Sequence, residues 1–492
     1  MRKILFIFLF LFSINAFSNS KVGSMLNEFL HENEMAKVIV MVEDSNELRY
    51  YESEIKESYF NYRDMTAIVK GISHHTQKAL VDDILAGSMP AEAYSVILDQ
   101  IWISNSLLMV VNKEAVAWLA SRTDVRLILL DSPVIQIPDP IDDSQDPNPV
   151  DEDDINAYED DEMNEIWGLD KVKELMFKAE SRLKYTYGLY NIKLPWLNRD
   201  FPELTGESVI VGVLDSGIDA SHPDLQGKLI NFRNFMAMGE DPLMPVDEHG
   251  HGTHVSGTIA GGNLSGYQIG VAPKASIVAA AAIGEYSTEA ALIKAMEWMV
   301  DPDADPETND HPRVINCSWG GPAGMPRQEQ EPMYKALAFW DSANIIPVFA
   351  MGNESIFAQS SPQEFPSTFT VAATNEIDLL AWFSTRGPLD FDIGEKIITL
   401  AKPEVSAPGT RVYSTFLNGE YKKMSGTSMA APHVTGAIAL LLQIDPEINA
   451  DEIKELLIST SKDLGSDGWD KGYGNGRIDV YEAAKELISR RW

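Results

Sequence analysis

The sequence predicts an α/β fold with a mostly parallel central sheet, preceded by a small α+β unit with an antiparallel sheet. Three observations support this prediction. Strongly apolar segments recur after about residue 204, helical patterns alternate with them, and an acidic segment separates this part from an earlier group of strands. Strands that are apolar along their whole length are typical of parallel sheets covered by helices on both faces.

Composition excludes several classes of partner. The 492 residues carry a formal net charge of −35, which argues against binding to nucleic acid or to anionic membrane surfaces. Hydrophobic residues make up 45% of the chain, so it can bury a large core, and its length allows two or three domains.

Residues 1–18 have the pattern of a secretory signal peptide. Two basic residues precede the apolar run 4–12, and Ala16-Phe17-Ser18 fits the small-x-small rule for cleavage after Ser18. A membrane anchor is the alternative, but the run is short for a bilayer span. The sequence therefore predicts an exported protein, extracellular or periplasmic, with no membrane span after signal removal.

Residues 37–137 form the predicted α+β unit. Its strand patterns are KVIVMVE, AYSVILD, SLLMVVN and a closing RLILLDSPVIQI. Residues 46–87 are mostly helical in pattern, and KEAVAWLAS predicts a short amphipathic helix. The order of these elements favours an antiparallel sheet with helices packed against it.

Residues 138–166 are predicted to be a disordered linker. Between Asp139 and Glu165 there are 13 acidic residues and no Lys or Arg, so this segment repels itself and can bury little apolar surface. An acidic calcium-binding tract is the alternative, although the spacing does not fit a calcium loop such as the EF-hand. Residues 167–203 are predicted to be a more structured lead-in to the next domain.

Residues 204–492 form the predicted α/β domain. Its strand patterns are SVIVGVLD, SIVAAAAI, RVINCSW, NIIPVFA and TFTVAA, and its helical patterns include TEAALIKAMEWMV, MYKALAFWDSA and VTGAIALLLQ. In folds of this class, functional side chains collect at the carboxyl ends of the strands.

Ser428 lies in the segment GTSMAAPH, among small residues and at the start of a predicted helix. A serine hydroxyl needs a base, an acid that orients the base, and donors for the developing oxyanion. The N–H groups at a helix start favour such an oxyanion. Pro432 is tolerated near the first turn of a helix.

Asp215 ends the strand pattern SVIVGVLD, where its carboxylate can orient an imidazole. The hydroxyl of Ser216 could donate to this carboxylate and keep it ionised. A helix cap or a turn former is the alternative role for Asp215.

His251, in HGHGTHVSGTIAGG, is the candidate base, because its glycine neighbours allow another backbone segment to approach the ring. His249 and His254 are more typical of packing or supporting residues. The H-x-x-H spacing raises a zinc site as an alternative, but no acidic ligand follows at the expected position.

Asn353 follows the strand pattern IIPVFA, where its amide could donate to an oxyanion, although Gly-Asn is also a common turn dipeptide. The glycines after Ser318 would let the backbone of a peptide pair beside this segment. Cys317 is the only cysteine and lies in an apolar strand pattern, so no internal disulfide is expected and an inert buried thiol is favoured over a nucleophile.

Chain order distinguishes two hydrolase classes. GTSMA matches a loose G-x-S-x-A elbow, which raises an esterase or lipase of the α/β-hydrolase fold as an alternative. Those enzymes run Ser, acid, His, whereas this chain runs Asp215, His251, Ser428, which is the order found in subtilisin.

The blocks VLDSGIDASHPDL, HGHGTHVSGT, INCSWGG, MGNES and GTSMAAPHVTGA together resemble the subtilisin-like serine proteases, in family order, over about residues 204–487. The stretch WMVDPDADPETNDHPRVINCSWGG is most similar to the bacillopeptidase F branch. This resemblance implies a three-layer subtilisin-like domain and a secreted serine endopeptidase. It also implies that residues 37–137 are a prodomain that chaperones and inhibits the protease.

By position, the resemblance implies that Ser428 is the nucleophile, His251 the general base and Asp215 the residue that orients it. Asn353, with the Ser428 backbone N–H, would form the oxyanion hole. The residues implied to bind substrate form two walls of the P1 pocket: Ser318, Trp319 and Gly320 on one side, Ala350 and Gly352 on the other. Trp319 stands where many members have Leu, which bears on P1 preference.

The chemistry implied by the resemblance needs no cofactor. Asp224, in SHPDL, matches a family calcium ligand, but the partner loop GGNLSGYQIG lacks a clear match, and a turn-capping role is the alternative. The expected partners are protein or peptide substrates and the chain's own prodomain. A catalytically silent binding protein of the same fold is the other functional hypothesis, although no triad or oxyanion position is substituted.

Overall fold

The structure is a computed structural model. It describes residues 21–46, 48, 62–133, 141, 184–236, 243–305, 308–321, 327–355, 361–392 and 396–491. The predicted signal peptide lies outside the described residues. So do nearly all of the predicted acidic linker and the lead-in segment before residue 184.

The strands, in chain order, are β1 (Met35–Val42), β2 (Ser95–Ile101), β3 (Ser106–Asn112), β4 (Val125–Leu130), β5 (Lys184–Tyr185), β6 (Ile210–Asp215), β7 (Leu229–Asn234), β8 (Tyr267–Gln268), β9 (Ser276–Ala281), β10 (Val314–Cys317), β11 (Ile346–Ala350), β12 (Phe369–Thr374), β13 (Leu389–Asp392), β14 (Ile397–Leu400), β15 (Val405–Pro408), β16 (Val412–Thr415) and β17 (Tyr421–Met424).

The α-helices are α1 (Ser24–Glu32), α2 (Tyr62–Leu85), α3 (Lys113–Ser121), α4 (Tyr187–Asn191), α5 (Leu194–Asp200), α6 (His251–Ala260), α7 (Glu289–Trp298), α8 (Glu331–Ser342), α9 (Thr427–Ile444), α10 (Ala450–Thr460) and α11 (Val480–Arg491). Two short 3₁₀ turns cover Arg327–Gln330 and Leu417–Gly419.

The N-terminal unit is a four-stranded antiparallel sheet in the order β2-β3-β1-β4, which confirms the predicted sheet type. The predicted start at residue 37 is too late, because α1 packs on β1 and β4. Leu26 and Leu30 of this helix are buried in the same core as Val38 and Val40. A nine-residue helix with two buried leucines gives too short a periodic pattern to separate from the preceding segment.

The C-terminal domain contains a seven-stranded parallel sheet in the order β15-β12-β11-β10-β6-β9-β7, which confirms the predicted α/β class. Alternate residues of β9 belong to two different cores: Ile277 and Ala279 to one, Val278 and Ala280 to the other. The first core includes α9 and the second includes α7 and α8. The sheet is therefore the middle of three layers, as a strand buried on both faces requires.

The domain begins before the predicted boundary at residue 204. Leu189 in α4 and Leu194 and Leu197 in α5 are fully buried in the main core. The N–H of Val480 also donates to the carbonyl of Ile192, at 2.9 Å. The described part of the predicted lead-in segment is therefore structurally part of the C-terminal domain.

Among the described residues, one helix is long and apolar enough to cross a membrane. This is α9, and 89% of its apolar window is buried inside the domain. Such burial is typical of the central helix of a folded core.

The N-terminal unit packs on α7 and α8 of the C-terminal domain. The Glu297 carboxylate accepts hydrogen bonds from the N–H groups of Trp102 and Ile103, at 2.6 and 3.1 Å. The Trp102 ring meets the edge of the Phe339 ring with centroids 5.1 Å apart. Asp131 accepts from the N–H of Ala290 at 2.9 Å. Apolar contact and buried polar bonds together therefore hold the two units against each other.

Candidate active site

The candidate site lies where three neighbouring strands end. Asp215 is the last residue of β6, Ser318 follows β10, and Ala350 is the last residue of β11. Because β6, β10 and β11 are adjacent and parallel, their carboxyl ends lie at one edge of the sheet. The helices α6 and α9 pack against each other and against this sheet, and they bring His251 and Ser428 to it.

Asp215 and His251 are joined by a short hydrogen bond. The Nδ1 atom of His251 lies 2.7 Å from Oδ1 of Asp215, and both side chains are buried. A carboxylate can only accept, so Nδ1 carries the proton and Nε2 is the nitrogen with a free lone pair in the neutral ring. This is the tautomer that a general base needs.

Ser216 supports Asp215 differently from the prediction. Its backbone N–H donates to Oδ1 of Asp215 at 2.7 Å, whereas its hydroxyl donates to Asp247 at 2.9 Å. The predicted donation from the hydroxyl to Asp215 is therefore wrong. The hydroxyl also accepts from the N–H of Gly252 at 2.9 Å, which links the end of β6 to the first turn of α6.

Asp247 organises the hydrogen bonds of the turn before His251, a role that the sequence analysis did not predict. Its Oδ1 accepts from the N–H groups of His249 and Gly250, and its Oδ2 accepts from the N–H and the hydroxyl of Thr253, all between 2.6 and 3.0 Å. It therefore caps the turn that leads into α6 and sets the position of His251. The turn-forming pattern Asp-x-x-Gly was the available signal.

Close backbone contact places α6 against the loop after Asp215. A Cβ atom on Gly252 would lie 2.1 Å from the carbonyl oxygen of Gly217. Only a glycine at position 252 allows this approach. The prediction that a glycine beside His251 admits another backbone segment is confirmed for Gly252, whereas at Gly250 the near neighbour is the Phe416 side chain.

The neighbouring carboxylates raise the pKa of His251. Burial alone would lower the pKa of His251, but the charge of Asp215, the hydrogen bond to it and the charge of Asp247 together raise it above the usual value. His249 behaves in the opposite way, because burial and the neighbouring His251 lower its pKa. At His249 the charges of Asp247 and Asp215 also act to raise the pKa, but burial and the neighbouring His251 outweigh them.

Ser428 is the second residue of α9 and is buried. Its hydroxyl donates to the carbonyl of Ser318 at 3.1 Å, and the hydroxyl of Ser318 donates to the carbonyl of Ser428 at 2.9 Å. Pro432 lies within the helix four residues later and has no N–H for the Ser428 carbonyl. The Ser318 hydroxyl supplies the missing donor.

Asn353 is oriented by the start of α9. Its Oδ1 accepts from the N–H and the hydroxyl of Thr427, both at 2.9 Å, which assigns the amide oxygen and leaves Nδ2 on the other side. A Cβ atom on Gly426 would lie 3.4 Å from Nδ2 of Asn353 and 3.6 Å from the backbone nitrogen of Ser428. The two predicted oxyanion donors therefore border the same small space, which the glycine leaves clear.

Trp319, the largest of the residues predicted to bind substrate, has its side chain buried in the core. The Trp319 indole is 2% exposed and meets Phe349 edge to face, with ring centroids 4.9 Å apart. It thus anchors its segment in the core. Gly352 donates from its N–H to the hydroxyl of Thr427 at 3.1 Å. Substrate binding by Ser318, Trp319, Gly320, Ala350 and Gly352 stays a prediction.

His254 and Cys317 have structural roles in the core around the site. Nε2 of His254 lies 2.9 and 3.0 Å from the carbonyls of Val412 and Lys422, so it donates to them, and burial lowers the pKa of His254 to about 3. Burial raises the pKa of the Cys317 thiol well above its usual value, which keeps it neutral.

The hydrogen bonds of the Asp224 carboxylate bear on the predicted calcium site. Its Oδ1 accepts from the N–H of Leu264 and its Oδ2 from the hydroxyl of Tyr421, both at 2.9 Å. Each oxygen thus faces a hydrogen-bond donor, whereas calcium is bound by oxygen acceptors. This geometry favours the alternative in which Asp224 anchors a loop, and calcium binding there stays a prediction.

Another acidic group lies in the described part of the chain away from this site. Carboxylate oxygens of Asp301, Asp303 and Asp310 lie within 4.8 Å of one another. Burial and the neighbouring Asp303 raise the pKa of Asp310 to about 6. Exposed acidic groups of this kind are common without an ion.

Comparison with known proteins finds one protease family and several proteases similar to this chain. Residues 206–476 match the model of the subtilase family. Bacillopeptidase F of Bacillus subtilis (strain 168) is 34% identical over 347 residues, which cover 63% of this chain but only 23% of that protein. Subtilisin of Bacillus pumilus is 36% identical over 308 residues, covering 61% of this chain and 98% of the relative. Serine protease AprX of Bacillus subtilis (strain 168) is 33% identical over 315 residues, covering 57% and 67%.

Proposed function

Because this chain belongs to the subtilase family and is by that membership a serine endopeptidase, we propose that it is an exported enzyme made as a self-processing zymogen. It hydrolyses peptide bonds in proteins or peptides through an acyl-enzyme intermediate. The observation that carries the catalytic part of this proposal is the 2.7 Å hydrogen bond from Nδ1 of His251 to Asp215, which leaves Nε2 as the proton acceptor.

Acylation begins when the Ser428 hydroxyl attacks the carbonyl carbon of the scissile bond. His251 takes the hydroxyl proton on Nε2, and Asp215 stabilises the imidazolium that forms. The oxyanion accepts hydrogen bonds from Nδ2 of Asn353 and from the backbone N–H of Ser428. His251 then gives its proton to the leaving amine, and the first product departs.

Deacylation repeats these steps with water as the nucleophile. His251 removes a proton from the water, the tetrahedral intermediate forms in the same oxyanion site, and Ser428 leaves with the returned proton. Asp247 acts as a positioning residue, since it holds the turn before His251.

The N-terminal unit acts as a prodomain. Its contacts with α7 and α8 support this role, because they place a separately folded unit on the face opposite the one that α9 covers. The acidic segment that joins the two units is the proposed site of processing. The mature N-terminus lies between residue 138 and the start of β5 at Lys184, because cleavage beyond that point would remove buried residues of α4 from the domain core.

The deciding experiment compares the secreted wild type with Ser428→Ala by intact mass and N-terminal sequencing. The wild type should lose its N-terminal unit while the variant stays whole, and phenylmethylsulfonyl fluoride should label Ser428 in the wild type. If both proteins stay whole and neither degrades casein, a catalytically silent binding protein is the correct interpretation. If both are trimmed alike, another protease performs the processing.

A further inference from the structure

A lysine lies beside the candidate site, on the hairpin formed by β16 and β17. Lys422 pairs with Ser414 across this hairpin, and the hydroxyl of Ser414 donates to the carbonyl of His254 at 2.8 Å. The carbonyl of Lys422 accepts from Nε2 of the same histidine at 3.0 Å. These bonds hold the backbone of Lys422 against α6, at the residue three positions after His251.

The ammonium group of Lys422 lies close to the turn that carries His251. Its Nζ is 4.5 Å from the centre of the Phe416 ring. A Cβ atom on Gly250, the residue before His251, would lie 2.5 Å from Cε2 of this ring, so the ring covers the backbone at the start of α6. Burial, the neighbouring His251 and, to a smaller degree, the charge of Lys422 lower the pKa of His249.

This cation is accessible to a ligand. The Lys422 side chain is exposed, and it forms no ion pair with any residue that the structure describes. An ammonium group over an aromatic face keeps donors that point to water, where a carboxylate can reach them. The chain carries 74 acidic and 39 basic residues, so a positive charge beside the site opposes the sign of the protein as a whole.

The acidic segment between the two units has the complementary charge. From Asp139 to Glu165 it contains 13 acidic residues and no Lys or Arg. Before it, Pro133 forms a bridge with Thr288 at the start of α7, whereas Ile141 packs against the core that includes α6 and α9. By residue 141 the chain has therefore crossed to the side of the sheet on which the site lies.

The chain after this segment is anchored at the hairpin of Lys422. The next described strand, β5, begins at Lys184 and pairs with β8. The ring of Tyr267 in β8 meets the ring of Tyr413 in β16, with centroids 6.3 Å apart. Residues 142–183 thus join a point on the core of α6 and α9 to a point beside the hairpin. Opposite charges so linked attract the segment toward the site.

We propose that Lys422 gives the enzyme a preference for peptides with Asp or Glu close to the scissile bond, and that the chain's own acidic segment is the first such substrate. A carboxylate of the bound peptide pairs with the ammonium group and strengthens binding. This inference rests on the proposed peptidase function, and it names the class of peptide that the site cleaves.

The test measures kcat/KM for pairs of peptides that differ only by Asp or Asn at one position. The position is scanned from four residues before the scissile bond to three after it, and mass spectrometry confirms the bond that is cut. The enzymes are the full-length wild type, Lys422→Gln and Lys422→Glu, each allowed to mature. Labelling with phenylmethylsulfonyl fluoride counts the active sites in every preparation.

At the position that meets Lys422, the wild type should prefer Asp to Asn about two- to fivefold, as expected for an exposed ion pair. Lys422→Gln should remove this preference and Lys422→Glu should reverse it, mainly through KM, because the pairing exists before the reaction begins. Salt at about 0.5 M should reduce the wild-type preference by screening. Slower maturation of Lys422→Glu would also support the proposal.

Lys423 provides a matched control. It is also exposed, but it pairs with Tyr413, so its side chain lies on the opposite face of the hairpin from that of Lys422. Lys423→Gln should leave the ratios of Asp to Asn near those of the wild type. The bond from His254 goes to the backbone of Lys422, so replacement of the side chain keeps it.

A synthetic peptide of residues 142–165 tests the role of the chain's own segment. It should compete with a neutral substrate at a lower Ki than the same peptide with Asn for Asp and Gln for Glu. The difference between the two peptides should disappear in Lys422→Gln. Equal Ki values for both peptides with the wild type would show that the acidic residues are not recognised.

The outcomes separate the two hypotheses. A wild type that hydrolyses the peptides, with ratios of Asp to Asn that are unchanged at every position in both Lys422 variants, overturns the role of Lys422 and leaves the peptidase function intact. Equal shifts in Lys423→Gln and Lys422→Gln would overturn it too, because the effect would then not belong to one position. A wild type that hydrolyses no peptide and is not labelled overturns the peptidase function, and the inference with it.

Discussion

Ser318 and Ser428 each donate a hydroxyl hydrogen bond to the backbone carbonyl of the other, at 2.9 and 3.1 Å. The pair connects the first turn of α9 to the segment after β10, across 110 residues of sequence. The bond from Ser318 replaces the helical bond that Pro432 cannot make. The proposed nucleophile is thus tied directly to one wall of the proposed P1 pocket.

Ser318→Ala should destabilise the fold and slow catalysis, because it leaves the buried Ser428 carbonyl without its donor. We expect a loss of about 1–3 kcal/mol in the free energy of unfolding, measured by denaturant titration in the Ser428→Ala background to prevent autolysis. Ser414→Ala is the control. The Ser414 hydroxyl donates to the carbonyl of His254, which keeps a second donor in Thr258. An equal loss in both variants would contradict this interpretation.

Asp215→Asn should lower kcat by about 10⁴, because an amide no longer enforces the tautomer with its proton on Nδ1. Asp215 also raises the pKa of His251. A base must be neutral, so wild-type activity should fall as pH decreases through a value above 6.5. In the variant this acidic limb should move to lower pH. A pH profile of kcat/KM for one peptide measures both effects, and an unmoved limb would show that another group controls it.

Asn353→Ala should lower kcat by about 10²–10³ with little change in KM, since the lost donor acts mainly on the oxyanion. The same change removes the acceptor for Thr427, so stability must be measured separately. Thr427→Val removes the hydroxyl that donates to Asn353 and accepts from the Gly352 N–H but keeps the Asn353 amide, so it is the control and should lower kcat much less. A rise in KM with unchanged kcat would place Asn353 in ground-state binding instead.

Docking of the N-terminal unit should weaken as pH rises. Burial raises the pKa of Glu297 to about 7, with Asp99 adding to the shift and the N–H groups of Ile103 and Trp102 opposing it. An undocked Glu297 would titrate near 4.5, so docking takes up a proton between these values. The stabilisation is therefore complete below pH 4.5 and is lost progressively up to about pH 7.

Hydrogen exchange of the N-terminal unit in full-length Ser428→Ala, at pH 5 and pH 8, checks this dependence. Glu297→Gln should flatten it. Glu289 should leave a remaining slope of the same sign, because burial raises its pKa too. A dependence that is unchanged in Glu297→Gln would exclude Glu297 as its source.

Calcium removal distinguishes the two roles of Asp224. As a hydrogen-bonded anchor, Asp224 should make the wild-type Tm insensitive to EGTA, while Asp224→Ala should cost about 2 kcal/mol through the donors it leaves unpaired. Differential scanning calorimetry in the Ser428→Ala background measures both. A Tm that rises with calcium in this background, and no longer rises when Asp224→Asn is added, would confirm the calcium prediction.

Local sequence patterns were sufficient to predict several of the helices and strands and the position of Asp215 at a strand end. The nine residues Lys113–Ser121 form the predicted amphipathic helix, and Asp215 is the last residue of a strand, as its aliphatic run indicated. Both depend on local periodicity, which is visible in the order of residues.

Hydrogen bonds between segments far apart in the sequence could not be predicted from such local patterns. The hydroxyl of Ser216 bonds to Asp247, 31 positions away, instead of its neighbour. Gln363 bonds to Trp319 across 44 positions and to Ala350 across 13. These partners depend on the order of strands in the sheet and on loop paths, which no local pattern specifies.

The contact between Trp102 and Phe339 has a consequence for the life of the protein after processing. Phe339 is 8% exposed while the N-terminal unit covers it, in a cluster to which both units contribute. If the N-terminal unit departs as proposed, this aromatic and aliphatic face comes into contact with water. We then expect the enzyme to bind environment-sensitive dyes on this face and to self-associate at high salt, where charge repulsion is screened.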